Sequence, residues 1–118
     1  MTLQLVNIHQ KGKQDAEYVE LKAVDACNLK DFIVCDTTYT SDTTISNRFR
    51  HTYWFLPQQV AKGDYVFLRT GKGTKSSHKN QAGTTTHVIY WGSNTPIWNN
   101  TGDAAILFAL KGYSVKKA

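Results

Sequence analysis

The residues able to do chemistry are scattered along the chain. Histidines stand at His9, His51, His78 and His87 without HxH or HExxH spacing, so a zinc site would require them to converge in three dimensions. Asp31, Asp36, Asp42 and Asp103 do not form the D-x-D-x-D-G pattern of a calcium loop. The stretch from Thr70 to Ser76 is rich in Gly and Lys, as phosphate-binding loops are. It lacks the G-x-x-x-x-G-K-[ST] spacing and the helix start that would hold a phosphate. Ser, His and Asp residues can be combined into a triad on paper, but no nucleophile elbow or positioned Cys–His pair is present. Cys27 and Cys35 form no CxxC pair. Cys35 sits in the apolar run Phe32-Ile33-Val34-Cys35 and reads as a buried thiol, with a Cys27–Cys35 disulfide as the alternative. The expectation is a chain with no catalytic residue, no metal and no cofactor.

Charge is the one feature with functional content. The net charge is +5, unevenly spread: residues 1–47 hold four lysines against seven acids. Residues 48–87 hold Arg48, Arg50, Lys62, Arg69, Lys72, Lys75 and Lys79 against Asp64 alone. A segment this basic can attract a polyanion, and otherwise reads as a solvated face with a solubilising loop. The candidate polyanion-binding residues are Arg48, Arg50, Arg69, Lys72, Lys75 and Lys79, which would contact phosphates without reading bases.

The elements that would position these residues are strands. Val19, Leu21 and Ala23 alternate with Glu20 and Lys22; Val66 and Leu68 alternate with Tyr65, Phe67 and Arg69. In 49–55, Phe49, Tyr53 and Phe55 share a face with Arg50, Thr52 and Trp54 opposite. Further strands are expected at 3–8, 32–37, 87–91, 104–110 and 113–116. In the first, the apolar parity shifts between Leu5 and Val6, the mark of a bulge. Gly-containing turns at Lys11-Gly12-Lys13, Lys62-Gly63-Asp64, Thr101-Gly102-Asp103 and Lys111-Gly112 separate the runs. About eight short strands with regular turns predict an all-β sandwich or barrel. Residues 38–47 and 71–86 read as longer loops, the second as the most mobile segment.

The densest concentration of rings and turn residues is WGSNTPIWNNTGDAAIL, from Trp91 to Leu107. Trp91 and Trp98 could stack on a base or sugar, but read first as core or rim rings. Asn99-Asn100-Thr101 matches a glycosylation acceptor but reads first as a plain turn, since Asn and Asp bond their own backbone and Gly102 tolerates positive φ.

With Glu17-Tyr18-Val19-Glu20-Leu21-Lys22, Asn28-Leu29-Lys30-Asp31-Phe32-Ile33-Val34, Val60-Ala61-Lys62-Gly63-Asp64-Tyr65-Val66 and Arg69-Thr70-Gly71, this segment resembles the lamin tail domain (intermediate filament tail domain) family, in its bacterial branch. Tyr90-Trp91-Gly92 and Trp98-Asn99-Asn100-Thr101-Gly102-Asp103-Ala104-Ala105 carry the strongest similarity, so Trp91, Trp98, Asn99, Asn100, Gly102 and Asp103 form the structural signature. Departures are Ala23 for the family's Asn, Asp31-Phe32 for its Gly-Trp pair and Lys62-Gly63 for its Pro-Gly turn. The resemblance implies an immunoglobulin-like β-sandwich of about eight or nine short strands, with no catalytic residues of its own. It implies an interaction module that binds a protein or cell-envelope component, with sequence-independent nucleic-acid binding through 48–87 as the alternative.

Residues 1–118 are expected to form a single domain. No run of 18 apolar residues occurs, and the first residues lack the pattern of a signal peptide. The expectation is a cytoplasmic chain or a mature piece whose leader has been removed.

Overall fold

The computed structural model describes residues 1–98 and 102–118. Its elements are β1 (Leu3–His9), β2 (Tyr18–Ala23), β3 (Cys27–Asn28), a 3-10 turn (Leu29–Asp31), β4 (Phe32–Thr38), β5 (Thr52–Trp54), β6 (Gln59–Val60), β7 (Tyr65–Arg69), β8 (Ser76–Lys79), β9 (Thr85–Tyr90) and β10 (Asp103–Ala109). The chain is an all-β sandwich, as its alternating patterns predict. A five-stranded sheet in the order β1-β2-β7-β9-β8 faces a three-stranded sheet in the order β10-β4-β5, and β3 pairs with β6 beside them.

Alternation sets which side of each strand is buried. Val19, Leu21 and Ala23 of β2, with Val66 and Leu68 of β7, are sealed between the sheets against Phe32 and Val34 of β4. Burying a Val or Leu side chain contributes about 1.5–3 kcal/mol each. The intervening residues, Tyr18, Glu20 and Lys22 on β2 and Tyr65, Phe67 and Arg69 on β7, therefore stand on the outer side of the five-stranded sheet. The β1–β2 register jumps from Leu5↔Leu21 to Asn7↔Glu20, leaving Val6 as the extra residue of the expected bulge. Gly63, at φ +89°, makes the turn into β7 that Lys62-Gly63-Asp64 signals.

Seven of the expected strands form, with shifted ends, and three expectations are corrected. Residues 71–86 are not one long loop, because Ser76–Lys79 pair antiparallel with β9. All four residues of β8 are exposed, so no apolar alternation announces it. Residues 113–116 form no strand; Tyr113 instead packs edge-on against Trp54 at 4.7 Å. The strand expected over 49–55 shrinks to Thr52–Trp54. Tyr53 and Phe55 turn inward together, whereas Phe49 meets Phe108 on the surface. With the two-residue β3 and β6 added, the count rises from eight or nine to ten.

Both cysteines are free, with Cys35 buried. Burial raises the Cys27 thiol above its ordinary pKa, and the charges of Asp31 and Asp25 add to this against a hydrogen bond with Thr2. A protonated thiol is a poor nucleophile at neutral pH.

Candidate binding face

Strand pairing brings together side chains far apart in sequence on the outer side of the five-stranded sheet. His9 is opposite Tyr18 across β1–β2, Tyr18 opposite Arg69 and Lys22 opposite Tyr65 across β2–β7, and Arg69 beside Tyr90 across β7–β9. The His9 and Tyr18 rings stack with centroids 4.6 Å apart, and Tyr18 and Phe67 follow at 4.7 Å. His9 and Tyr18 are directly opposite in register, whereas Tyr18 reaches Phe67 diagonally, since Phe67 is opposite Glu20. The Arg69 guanidinium lies 5.4 Å from the Tyr18 ring centre, and the Lys22 ammonium 5.5 Å from that of Tyr65. Each such contact contributes about 0.5–1 kcal/mol at an exposed site. Glu20, in the same row, is bonded to His9 Nε2 at 2.6 Å.

The β7–β8 connection crosses over the end of β9. Trp91 N–H donates to Arg69 O, and Gly92 N–H to Gly71 O. Gly73 lies against the Tyr90 ring so closely that an added Cβ would come within 2.4 Å of it. This crossing carries exposed Lys72 and Lys75 along the Arg69 end of the aromatic row.

The six candidate polyanion-binding residues therefore divide. Arg69, Lys72 and Lys75 border the face just described. Lys79 is on edge strand β8, at the register position of Thr85. Arg48 and Arg50 belong to the segment running beside β4, in the other sheet: Arg50 N–H donates to Asp36 O, and its guanidinium pairs with Asp103 at 3.3 Å. Of the structural signature, Trp98 is fully buried and Trp91 half-buried against it, with centroids 6.2 Å apart. Both are core and rim rings. Gly102 O accepts from Tyr39 N–H, and Asp103 opens β10. Asn99 and Asn100, and with them the glycosylation pattern, lie outside the described residues.

Sequence reasoning did not single out His9, Tyr18, Glu20, Lys22, Tyr65 or Phe67. The alternation had already placed several of them on the outward parity of their strands. What it lacked was the pairing of β2 with β7, which joins residues 47 or so apart in the chain.

A second cluster links residues with acid–base capacity. His87 Nε2 bonds Asp64 Oδ2 at 2.9 Å, and His87 Nδ1 meets both Ser77 Oγ at 2.9 Å and Gln58 Nε2 at 3.0 Å. The connectivity is that of a nucleophilic triad, but the bonding is that of a brace. Asp64 also accepts from the N–H groups of Ala61 and Thr85, which ties the turn before β7 to the start of β9. When the ring is neutral with Nε2–H donated to Asp64, one Nδ1 lone pair serves both Ser77 and Gln58; the protonated ring formed at low pH donates from both nitrogens. His51 is used similarly: its N–H and Nδ1 both engage Asp36, holding the segment before β5 on β4. Among the described residues, no group of three or more His, Cys, Asp or Glu is placed to hold a metal ion.

Burial pushes the Asp64 carboxyl up, but the hydrogen bonds from His87, Ala61 and Thr85 and the His87 charge outweigh it, and its pKa is lowered. A carboxyl whose folded pKa lies below its unfolded value of about 3.9 stabilises the fold above that pH. The contribution is lost as pH falls through the folded pKa. Urea midpoints between about pH 5 and pH 3 should therefore fall more steeply for the wild type than for Asp64→Asn. Equal slopes would show that Asp64 carries no such linkage.

Comparison with protein-family models, with curated proteins and with solved structures finds no match. Among the described residues, no helix is long and apolar enough to cross a membrane.

Proposed function

We propose that the chain is a non-catalytic interaction module of the lamin-tail type, an immunoglobulin-like sandwich that binds a protein or cell-envelope component. The outer side of the five-stranded sheet is its working surface. The observation that carries this reading is the row His9–Tyr18–Phe67 flanked by the Arg69 and Lys22 cations on an open face. Tyr and Arg anchors are the side chains that dominate binding energy at macromolecular interfaces. The non-catalytic part is supported by how His51, His87, Asp36 and Asp64 are used, each bonded into turns and strand ends. The lamin-tail part is supported by the meeting of its two main segments: Glu17 accepts from the N–H groups of Ile97 and Trp98.

A Tyr18→Ala, Arg69→Glu double variant should lose at least about tenfold in affinity for the partner captured by the wild type from lysate or envelope fractions, a change of about 1.4 kcal/mol. Arg50→Glu, on the other sheet, should bind as the wild type does. The reverse pattern would overturn the assignment of the face.

The second reading is sequence-independent nucleic-acid binding through the basic segment. Arg69, Lys72 and Lys75 favour it, because they border a row of rings and thus combine phosphate contacts with stacking surfaces. The contact would use these three with Lys22, rather than all six candidates. Gel-shift titrations at two salt concentrations should show binding that weakens as salt rises. Binding that is absent at low salt, or indifferent to salt, would remove this reading.

A further inference from the structure

The row of rings crossing the sheet stops at Phe67. On the next strand, β9, the positions beside Tyr65 and Phe67 are Thr86 and Val88, both buried and both shorter than a ring. Beside the row, reaching Thr86 but not Val88, is a shallow groove of about 280 Å³. Tyr65, Phe67 and Thr86 floor it, Glu20 borders one side, and residues 80–82 of the β8–β9 turn form the other.

We infer that this groove takes an unpaired base of a single-stranded nucleic acid, stacked on Phe67 as the next ring of the row. The inference rests on the nucleic-acid reading given above and names the form of its ligand. Three features carry it. The first is position: the groove opens over Tyr65 and Phe67, where the row of rings ends, so a base in it lies against the Phe67 ring. The second is size, since the volume suits one ring system and falls below that of drug-sized sites. The third is charge: Lys22 stands over the ring of Tyr65, which lines the groove, and Arg69, Lys72 and Lys75 gather at the far end of β7. Four residue steps along β7 separate Tyr65 from Arg69 by about 13 Å. A strand whose base enters the groove thus carries its following phosphates toward Arg69.

The polar chemistry of the groove is tolerant of base identity. Asn80 is spent on Thr84 and Thr86, which shapes the turn. The exposed Gln81 amide offers both N–H donors and a carbonyl acceptor, which any base edge can meet. The Glu20 carboxylate on the groove's border is hydrogen-bonded to His9, and the phosphates are drawn to the basic end of β7 away from it. A duplex keeps its bases stacked on one another and cannot fill the groove without extruding one.

The test compares a single-stranded oligonucleotide, an abasic oligonucleotide of equal length and a duplex by fluorescence anisotropy at low salt. The single strand should bind at least about tenfold more tightly than the abasic chain, in keeping with base–aromatic stacking. Phe67→Ala should abolish that difference while leaving abasic affinity unchanged. Ala82→Trp, on the exposed turn, fills the groove from its rim without altering a sheet residue and should do the same. Equal affinity for single-stranded and abasic chains, or a duplex bound as tightly as the single strand, would overturn the base groove while leaving nucleic-acid binding intact. Failure of all three ligands to bind would overturn both.

Discussion

Replacing Glu17 by Ala should lower the unfolding free energy by about 3–5 kcal/mol. This carboxylate is completely buried at the start of β2. One oxygen accepts from the Thr70 hydroxyl at 2.6 Å, from Ile97 N–H at 2.8 Å and from Trp98 N–H at 3.3 Å, and the other from Gly12 N–H at 3.0 Å. It therefore joins the β1–β2 turn, the end of β7 and the segment before β10. Ala would leave several buried donors without an acceptor, at about 1–3 kcal/mol each before relaxation. Glu17→Gln keeps the shape and one acceptor oxygen, and should cost clearly less. Urea denaturation of the two variants beside the wild type measures both effects. A Glu17→Ala protein as stable as the wild type would show that the network does not form.

The second large effect is expected at Trp98. Its side chain is fully buried and starts a chain of ring contacts: Trp91 at 6.2 Å, Tyr53 at 5.6 Å from Trp91, and Phe55 at 5.1 Å from Tyr53. Trp98→Ala removes the largest buried side chain and leaves a cavity between the sheets, at a cost of about 3–5 kcal/mol. Thermal unfolding followed by circular dichroism should show a midpoint far below that of the wild type, and the near-ultraviolet signal should lose intensity with it. The same substitution at Trp54, which is 44% exposed on the surface, should cost much less. Similar losses at the two sites would contradict the placement of Trp98 in the core.

These two residues show what could be read from sequence and what could not. Trp98 was legible as a structural ring beside a turn, and Val19, Leu21, Val66 and Leu68 as buried strand positions, because period-two alternation encodes burial directly. The bulge at Val6 was legible for the same reason. Glu17 was legible only as a member of a motif: three of the four donors that define the buried carboxylate lie 53 to 81 residues away, and no local pattern records them. Strand β8 stayed hidden because Ser76, Ser77, His78 and Lys79 are polar on both sides, and β3 and β6 because two residues carry no period.

The basic segment followed the same division. Its charge excess was visible, but its geometry was not, because sheet register decides which charges share a face. Arg69 stands among Tyr18, Phe67 and Tyr90, whereas Arg50, only 19 positions earlier, is paired with Asp103 on the opposite sheet. The rings that give the face its character lay in plain alternation on β2 and β7, and only the pairing of those strands assembled them.

The most direct test of the outer face as the working surface is site-specific photo-crosslinking in the native cell extract. A photoreactive residue at Tyr65 or His78, on the five-stranded sheet, should yield discrete adducts with protein or nucleic acid. The same residue at Ile33 or Ile106, on the three-stranded sheet, should yield none above background. Adducts confined to the Ile33 and Ile106 positions would contradict the account.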